Sequence, residues 1–342
     1  MTIRLAQSAI LMAILSISAV ASSMAEDKVR LTGSGASFPA PLYLTGFKDL
    51  GKKNPHLKVD YQSKGSGAGV QDFLNKTVDF AASDSAMKKE DIAKVAEGVL
   101  LLPMTAGEIV IAYNLPGNPK GLKLARDVYS NIFLGKITKW NDPKIAAANP
   151  GVKFPELPIT VVRRADSSGT TAVFTKHLSA INPDFAKALG EGNTVNWPAS
   201  DKFVAAPKND GITATVRQTP GAIGYIEYGF AKLAKVDFAL LQNKAGQFVA
   251  PGAGAETLAS AKMPEDMIAW MPDPDGAKSY PITSYTWMIF RKKNADPVKA
   301  KAMRDMIEYA LTEGQKGAEA MGYIPLPASV VEHVRKAAAG IN

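Results

Sequence analysis

Three times in this chain a strand candidate runs into a turn of glycine, serine and threonine, and the turn runs into a helix candidate. The turns are Thr32-Gly-Ser-Gly-Ala-Ser-Phe-Pro39, Gly65-Ser-Gly-Ala-Gly69 and Asp166-Ser-Ser-Gly-Thr170. A helix N-terminus leaves backbone N–H groups unpaired and carries about half a positive charge. An anion placed there accepts those N–H bonds. Glycine lets backbone come close, and serine and threonine add hydroxyl donors. Pro39 suits a first helical turn, where its missing N–H is not needed. One such turn is usually only a helix cap; three together suit a tetrahedral oxyanion, which takes donors from several directions.

The surrounding pattern alternates strand and helix, which predicts an α/β fold. Strands are expected at 29–31, 57–61, 78–82, 108–114, 159–164, 222–228 and 285–290. Helices are expected at 41–50, from 70 onward, at 91–97, and at 170–178, 298–309 and 329–338. Residues 243–280 are rich in Gly, Pro, Asp and Ala and read as loops.

The chain has 342 residues, 46% hydrophobic and 21% charged, a globular composition. Arg4, an apolar run over 9–20 broken only by Ser16 and Ser18, and the small residues of Ser23-Met24-Ala25 form a secretory signal. The run is too short for a membrane span, which needs about 20 apolar residues. Cleavage after Ala25 leaves 317 of the 342 residues, a length that suits two lobes. It also lowers the net charge from +8 to +7, because the segment holds Arg4 and no acid. A basic surface suits an anionic partner, but export and the lack of a Lys/Arg block argue against nucleic acid. There is no cysteine, hence no disulfide, no cysteine metal site and no lipid-bearing cysteine after the signal. His56, His177 and His333 are far apart in sequence and read as surface or packing residues.

Two charged groups stand beside the turns. Val161-Val-Arg-Arg164 ends a strand just before the third turn. Neighbouring strand residues point to opposite faces, so only one of Arg163 and Arg164 can face a cleft, where a guanidinium matches an oxyanion through paired donors. Asp84 follows the strand at 78–82. It reads either as a cap for the next helix or as a carboxylate beside the anion. A carboxylate only accepts hydrogen bonds, so it would favour an anion that still carries a proton. None of the turns is a dinucleotide fingerprint, a P-loop or a nucleophile elbow.

On these residues the chain closely resembles the periplasmic phosphate-binding proteins of the Pst transport system, over nearly all of the mature sequence. The markers are Gly33-Ser-Gly-Ala-Ser-Phe-Pro-Ala-Pro41, Val78-Asp-Phe-Ala-Ala-Ser-Asp84, Ile132-Phe-Leu-Gly-Lys-Ile-Thr-Lys-Trp-Asn-Asp142, Val161-Val-Arg-Arg-Ala-Asp-Ser-Ser-Gly-Thr170 and Pro220-Gly-Ala-Ile-Gly-Tyr225. The resemblance implies a two-lobed type II periplasmic binding fold with a two-strand hinge and phosphate held between the lobes. It implies a signal peptide at 1–25, a first lobe from 26–113 and 283–342, and a second lobe from 114–282.

The resemblance also implies the ligand set Ser37, Phe38 through its N–H, Ser66, Asp84, Arg164, Ser168, Gly169 and Thr170, with Asp166 holding Arg164. Ser37 stands where the family commonly has Thr. The second turn reads Ser-Gly-Ala-Gly rather than Ser-Ser-Gly-Gly, which leaves Ser66 in place. Trp140 reads as packing.

The implied protein is a monomeric, non-lipidated periplasmic carrier that delivers inorganic phosphate to the permease of an ABC transporter. It needs no cofactor and performs no catalysis. The alternatives are a carrier of another oxyanion such as sulfate or molybdate, an exported phosphoesterase and a surface adhesin. An esterase would need an activated nucleophile; Ser37, Ser66 and Ser168 are the choices, and no histidine sits at a partner position.

Overall fold

The computed structural model describes residues 28–342 except 118 and 253; the expected signal and its cleavage site lie outside the described residues. The strands are β1 (Val29–Gly35), β2 (Leu57–Ser63), β3 (Phe80–Ser83), β4 (Val99–Tyr113), β5 (Lys123–Leu124), β6 (Thr160–Arg164), β7 (Phe203–Ala206), β8 (Ala222–Glu227), β9 (Leu240–Gln242), β10 (Phe248–Val249) and β11 (Thr283–Arg291). One eight-stranded sheet runs in the order β2-β1-β3-β11-β4-β8-β6-β7, and β10-β9-β5 form a small second sheet.

The large sheet carries two hydrophobic cores. The first gathers Leu31, Phe47, Phe80, Leu102, Trp287, Phe290, Met303 and Val334, and the second Ile111, Trp140, Phe174, Ile212 and Tyr225. Each large side chain so buried contributes about 1.5–3 kcal/mol. On the first core, β2 and β3 flank β1 in parallel. On the second, β6 lies parallel to both β7 and β8. Parallel strands need crossover connections, which the helices supply. The loops that bear the candidate residues all leave the C-terminal ends of these strands, where open α/β sheets bind ligands.

Two adjacent strands join the lobes. β4 pairs with β11 over its first part and with β8 over its second. Where it passes from one to the other, the Ile109 N–H donates to Ile282 O at 2.8 Å. The chain also makes a third excursion. Leu258, Met267, Ala269 and Met271 pack into the first core, and Tyr280 and Ile282 into the second. Between them, Asp273 forms a two-pronged pair with Arg126, at 2.7 and 2.8 Å.

Most expected elements are present, several of them longer. The helix expected at 91–97 is instead Lys89–Ile92, because Lys94 and Val95 bond three residues back, to Asp91 and Ile92, and the α pattern stops. The strand expected at 108–114 starts nine residues earlier, at Val99. Pro103 sits where the β11 register shifts, Trp287 facing Pro103 and Thr286 facing Thr105. A bulge accepts a proline that a regular ladder would not.

Candidate functional site

The three turns meet between the lobes. The first runs from the end of β1 to the helix Ala40–Lys53, the second opens the helix Ser66–Leu74 and the third leads into the helix Gly169–Ile181. Ser37, Phe38, Ser66, Asp84, Arg164, Ser168 and Thr170 are all buried. The lobes touch here. Gly67 N–H donates to Ser167 O at 3.0 Å. A Cβ on Gly67 would lie 2.0 Å from Ser167 Oγ, and one on Gly65 2.4 Å from Asp166 Oδ2. Gly65 also has φ +97, which favours glycine. These glycines are what let the two loops close face to face.

The hydroxyls share one feature: each already accepts a bond from a protein N–H. Ser66 Oγ accepts from Asp84 N at 3.2 Å, Ser168 Oγ from Thr171 N at 3.0 Å and Thr170 Oγ1 from Asn209 Nδ2 at 3.1 Å. Ser37 Oγ accepts from both Asn209 N and Asn209 Nδ2, at 3.2 and 3.0 Å. A hydroxyl has one proton and two lone pairs. Ser37 has both lone pairs engaged and is left to donate, whereas Ser66, Ser168 and Thr170 each have one lone pair engaged and a proton to donate. Backbone donors join them. The Thr171 N–H is taken by Ser168, which leaves those of Gly169 and Thr170 at the helix start.

Arg164 is the cation of the set. Its Nε donates to Asp166 Oδ1 at 2.8 Å, and its Nη2 pairs with Asp166 Oδ2. Its Nη1 is buried without a hydrogen-bond partner among the described residues. Asp166 also accepts from the Lys208 N–H at 2.9 Å. Burial pushes the Asp166 carboxyl up, but the bonds and charge of Arg164 and the Lys208 N–H outweigh it, so the net shift is downward. Arg163, on the opposite face, donates to the Arg164 carbonyl at 3.3 Å.

Asp166 is paired to Arg164, whereas Asp84, the other carboxylate here, takes a hydroxyl bond instead. Burial pushes Asp84 up to about 7, against the Thr286 bond, the charge of Arg164 and bonding from Thr170 and Ser66. Thr286 Oγ1 donates to Asp84 Oδ1 at 2.8 Å. The capping alternative fails, since the next helix begins at Lys89 with Lys88 at its N-cap. A groove of about 800 Å³ is lined by residues that include Lys176, Trp270 and, next in sequence to candidates, Gly67 and Ser167, and by none of the candidates themselves.

Sequence reasoning missed Asn209 and Thr286. Asn209 opens a fourth strand–turn–helix unit, β7 to the helix Lys208–Gln218. Its turn is Pro207-Lys-Asn209, without the glycine and serine that marked the others. Trp140 packs in the second core, with its Nε1 donating to Gly221 O at 2.9 Å.

Two α/β lobes with buried hydroxyls, Arg164 and Asp84 converging between them define a two-lobed anion-binding protein. Residues 22–313 match the PBP superfamily domain. The chain belongs to that superfamily and, within it, to the family of the proteins named phosphate-binding protein PstS. The one from Pasteurella multocida is 38% identical, covering 89% of this chain and 88% of its own. The one from Methanocaldococcus jannaschii is 36% identical, covering 87% and 83%. Among solved structures, a phosphate-binding protein from Stenotrophomonas maltophilia superposes with a TM-score of 0.73 at 22% identity, covering 90% of this chain and 93% of that one. A high-affinity periplasmic phosphate-binding protein solved with phosphate bound gives 0.74 at 23% identity, with the same coverage. The fold is the type II periplasmic binding fold.

Proposed function

We propose that this protein captures inorganic phosphate between its lobes in the periplasm and delivers it to the membrane subunits of an ABC importer. The observation that carries this reading is the uniform direction of the donors. Ser37 is held as a donor by two protein N–H groups and Ser66, Ser168 and Thr170 each accept one, Arg164 keeps its buried Nη1 to offer, and Asp84 is the carboxylate among them that is not taken up by the Arg164 pair. The ligand set is Ser37, the Phe38 N–H, Ser66, Asp84, Arg164, Ser168, Gly169 and Thr170, with Asp166 in support. Relatives named for phosphate binding over most of the chain support the same ligand.

The protein acts as a carrier rather than a catalyst. Its site serines are bonded to N–H groups and not to an imidazole, and His177 is engaged elsewhere, by Tyr129 and Pro272. The lobes divide at 113/114 and 282/283, with 258–271 reaching back to the first core. The protein acts as a monomer, free of lipid after loss of the signal; among the described residues no helix is long and apolar enough to cross a membrane. Calorimetry with phosphate, sulfate and arsenate, beside an assay for phosphate-ester hydrolysis, tests the proposal. Tight phosphate binding without turnover is the expected result. Turnover, or preference for sulfate, overturns it.

A further inference from the structure

We propose that Asn209 is a positioning residue that makes the Ser37 hydroxyl an obligate donor to the anion, an inference that rests on the phosphate reading above. Ser37 follows β1, whereas Asn209 begins a helix whose Ile212 and Val216 pack in the second core. Their side chains meet in the closed cleft. The Asn209 backbone N–H and its Nδ2 both donate to Ser37 Oγ, at 3.2 and 3.0 Å. A serine oxygen has two lone pairs and one proton. Both lone pairs are taken, so the proton is all that Ser37 can offer a ligand.

The amide itself cannot turn over. Nδ2 spends its second proton on Thr170 Oγ1 at 3.1 Å, and Oδ1 accepts from the Glu227 N–H at 3.0 Å. A flipped amide would set NH₂ against that N–H, donor to donor, and leave the Glu227 N–H without its acceptor. Asn209 is also tied to the Arg164 pair, since the preceding Lys208 N–H donates to Asp166 Oδ1 at 2.9 Å. One side chain therefore joins both lobes, two hydroxyls and the end of β8.

The consequence concerns the proton on phosphate. A free serine hydroxyl both donates and accepts, so a protonated ligand oxygen could sit against Ser37 as well as against Asp84. Asn209 removes that option and leaves the ligand's proton to Asp84. Asn209 thus shapes specificity through Ser37, and through Thr170, which takes its other amide proton, rather than through a bond of its own to the anion.

The test is a double-mutant cycle, read by calorimetry with inorganic phosphate on the full mature chain. Ser37→Ala and Asn209→Ala should each weaken binding by about ten- to a hundredfold. The double variant should lose less than the product of the two single losses, because part of what Asn209 does passes through the oxygen that Ser37→Ala removes and the rest through Thr170. Losses that multiply would overturn the inference. Asn209→Asp keeps the side-chain shape and serves where Asn209→Ala does not fold, with melting curves on every variant. Its carboxylate cannot donate, so its Kd relative to wild type should be worst at high pH and should improve as pH falls and the carboxyl regains a proton. A ratio flat with pH overturns the inference. Wild-type protein that fails to bind phosphate would instead overturn the functional reading on which it rests.

Discussion

Gly169 and Ser66 face each other across the cleft so closely that a Cβ on Gly169 would lie 2.3 Å from Ser66 Oγ. The same Cβ would come within 2.8 Å of the Asp84 backbone. Gly169→Ala should therefore hold the lobes apart without disturbing either core. Overpacking of this kind costs about 1–3 kcal/mol, or roughly five- to a hundredfold in phosphate affinity. Small-angle scattering should show that the wild type compacts with phosphate and the variant does not. Equal compaction would remove Gly169 as the limit on closure.

Arg164 and Arg163 should separate cleanly. Arg164 is buried against Asp166 with its Nη1 unpartnered, while Arg163, whose Nε also lacks a partner among the described residues, lies on the other face of β6. Loss of a desolvated charged partner costs about 2–5 kcal/mol, so Arg164→Ala should weaken phosphate binding from about thirtyfold to several thousandfold. Arg163→Ala should have a much smaller effect. Equal losses in titration calorimetry would sink the assignment.

Asp84 should set the choice between phosphate and sulfate, and pH should modulate it. Ionised, it accepts a bond from the proton on phosphate and repels sulfate, which has none. Burial has pushed its carboxyl up to about 7. Below that pH the neutral group gains a proton of its own to donate, and sulfate becomes tolerable. The phosphate-to-sulfate affinity ratio should therefore shrink as pH falls through 7, and Asp84→Ala should flatten this dependence while admitting sulfate. An unchanged ratio in the variant means that Asp84 is not the filter.

His177 should make the fold acid-sensitive. It lies buried between the Tyr129 hydroxyl and the Pro272 carbonyl, at 2.8 and 2.6 Å. Burial lowers it to about 4 from an ordinary 6.5, against the pull of the Pro272 bond and Asp273. The folded group thus binds its proton later than the unfolded one does. Its contribution is present above about pH 6.5 and is lost as pH falls toward 4, on the order of 3 kcal/mol over the range. The stability gap between wild type and His177→Gln in urea melts should be widest at neutral pH and narrow on acidification. A gap that widens would contradict the sign.

Intact-mass measurement on the exported protein should give a mature chain beginning at Glu26. A retained leader, or protein found only in membranes, would count against a soluble carrier.

Three of the four strand–turn–helix units around the cleft were legible in the sequence, because glycine, serine and threonine leave a compositional mark where backbone must approach an anion. The fourth was not. Its strand, β7, is short and lies at the sheet edge, and its turn works through Lys208 at φ 58 rather than through glycine. Asn209 gains its role only when a segment 172 positions away arrives beside it. Thr286 lies within a strand that was expected, but nothing local reports that Asp84 will stand opposite. The first part of β4 was hidden by Pro103, which breaks the pattern a reader looks for and is absorbed by the bulge. Residues 243–280 read as loops, but the segment holds the strand β10 and the helix Gly254–Ser260, and the path of the 258–271 excursion between the cores rests on contacts made at long range.

That excursion belongs to a wider discontinuity with a consequence for the order of folding. The first core joins residues 31–106 to residues 285–341, and Ile341 is fully buried in it. As a chain emerges from its N-terminus, the early strands β1 to β3 lack the central strand β11 that covers the edge of β3. Most of the second core, by contrast, is synthesised as one stretch. The half made first is therefore the half that must finish later, held open by contacts of high sequence separation. A ribosome or translocon handles this protein as an unfinished chain almost to the end of its synthesis.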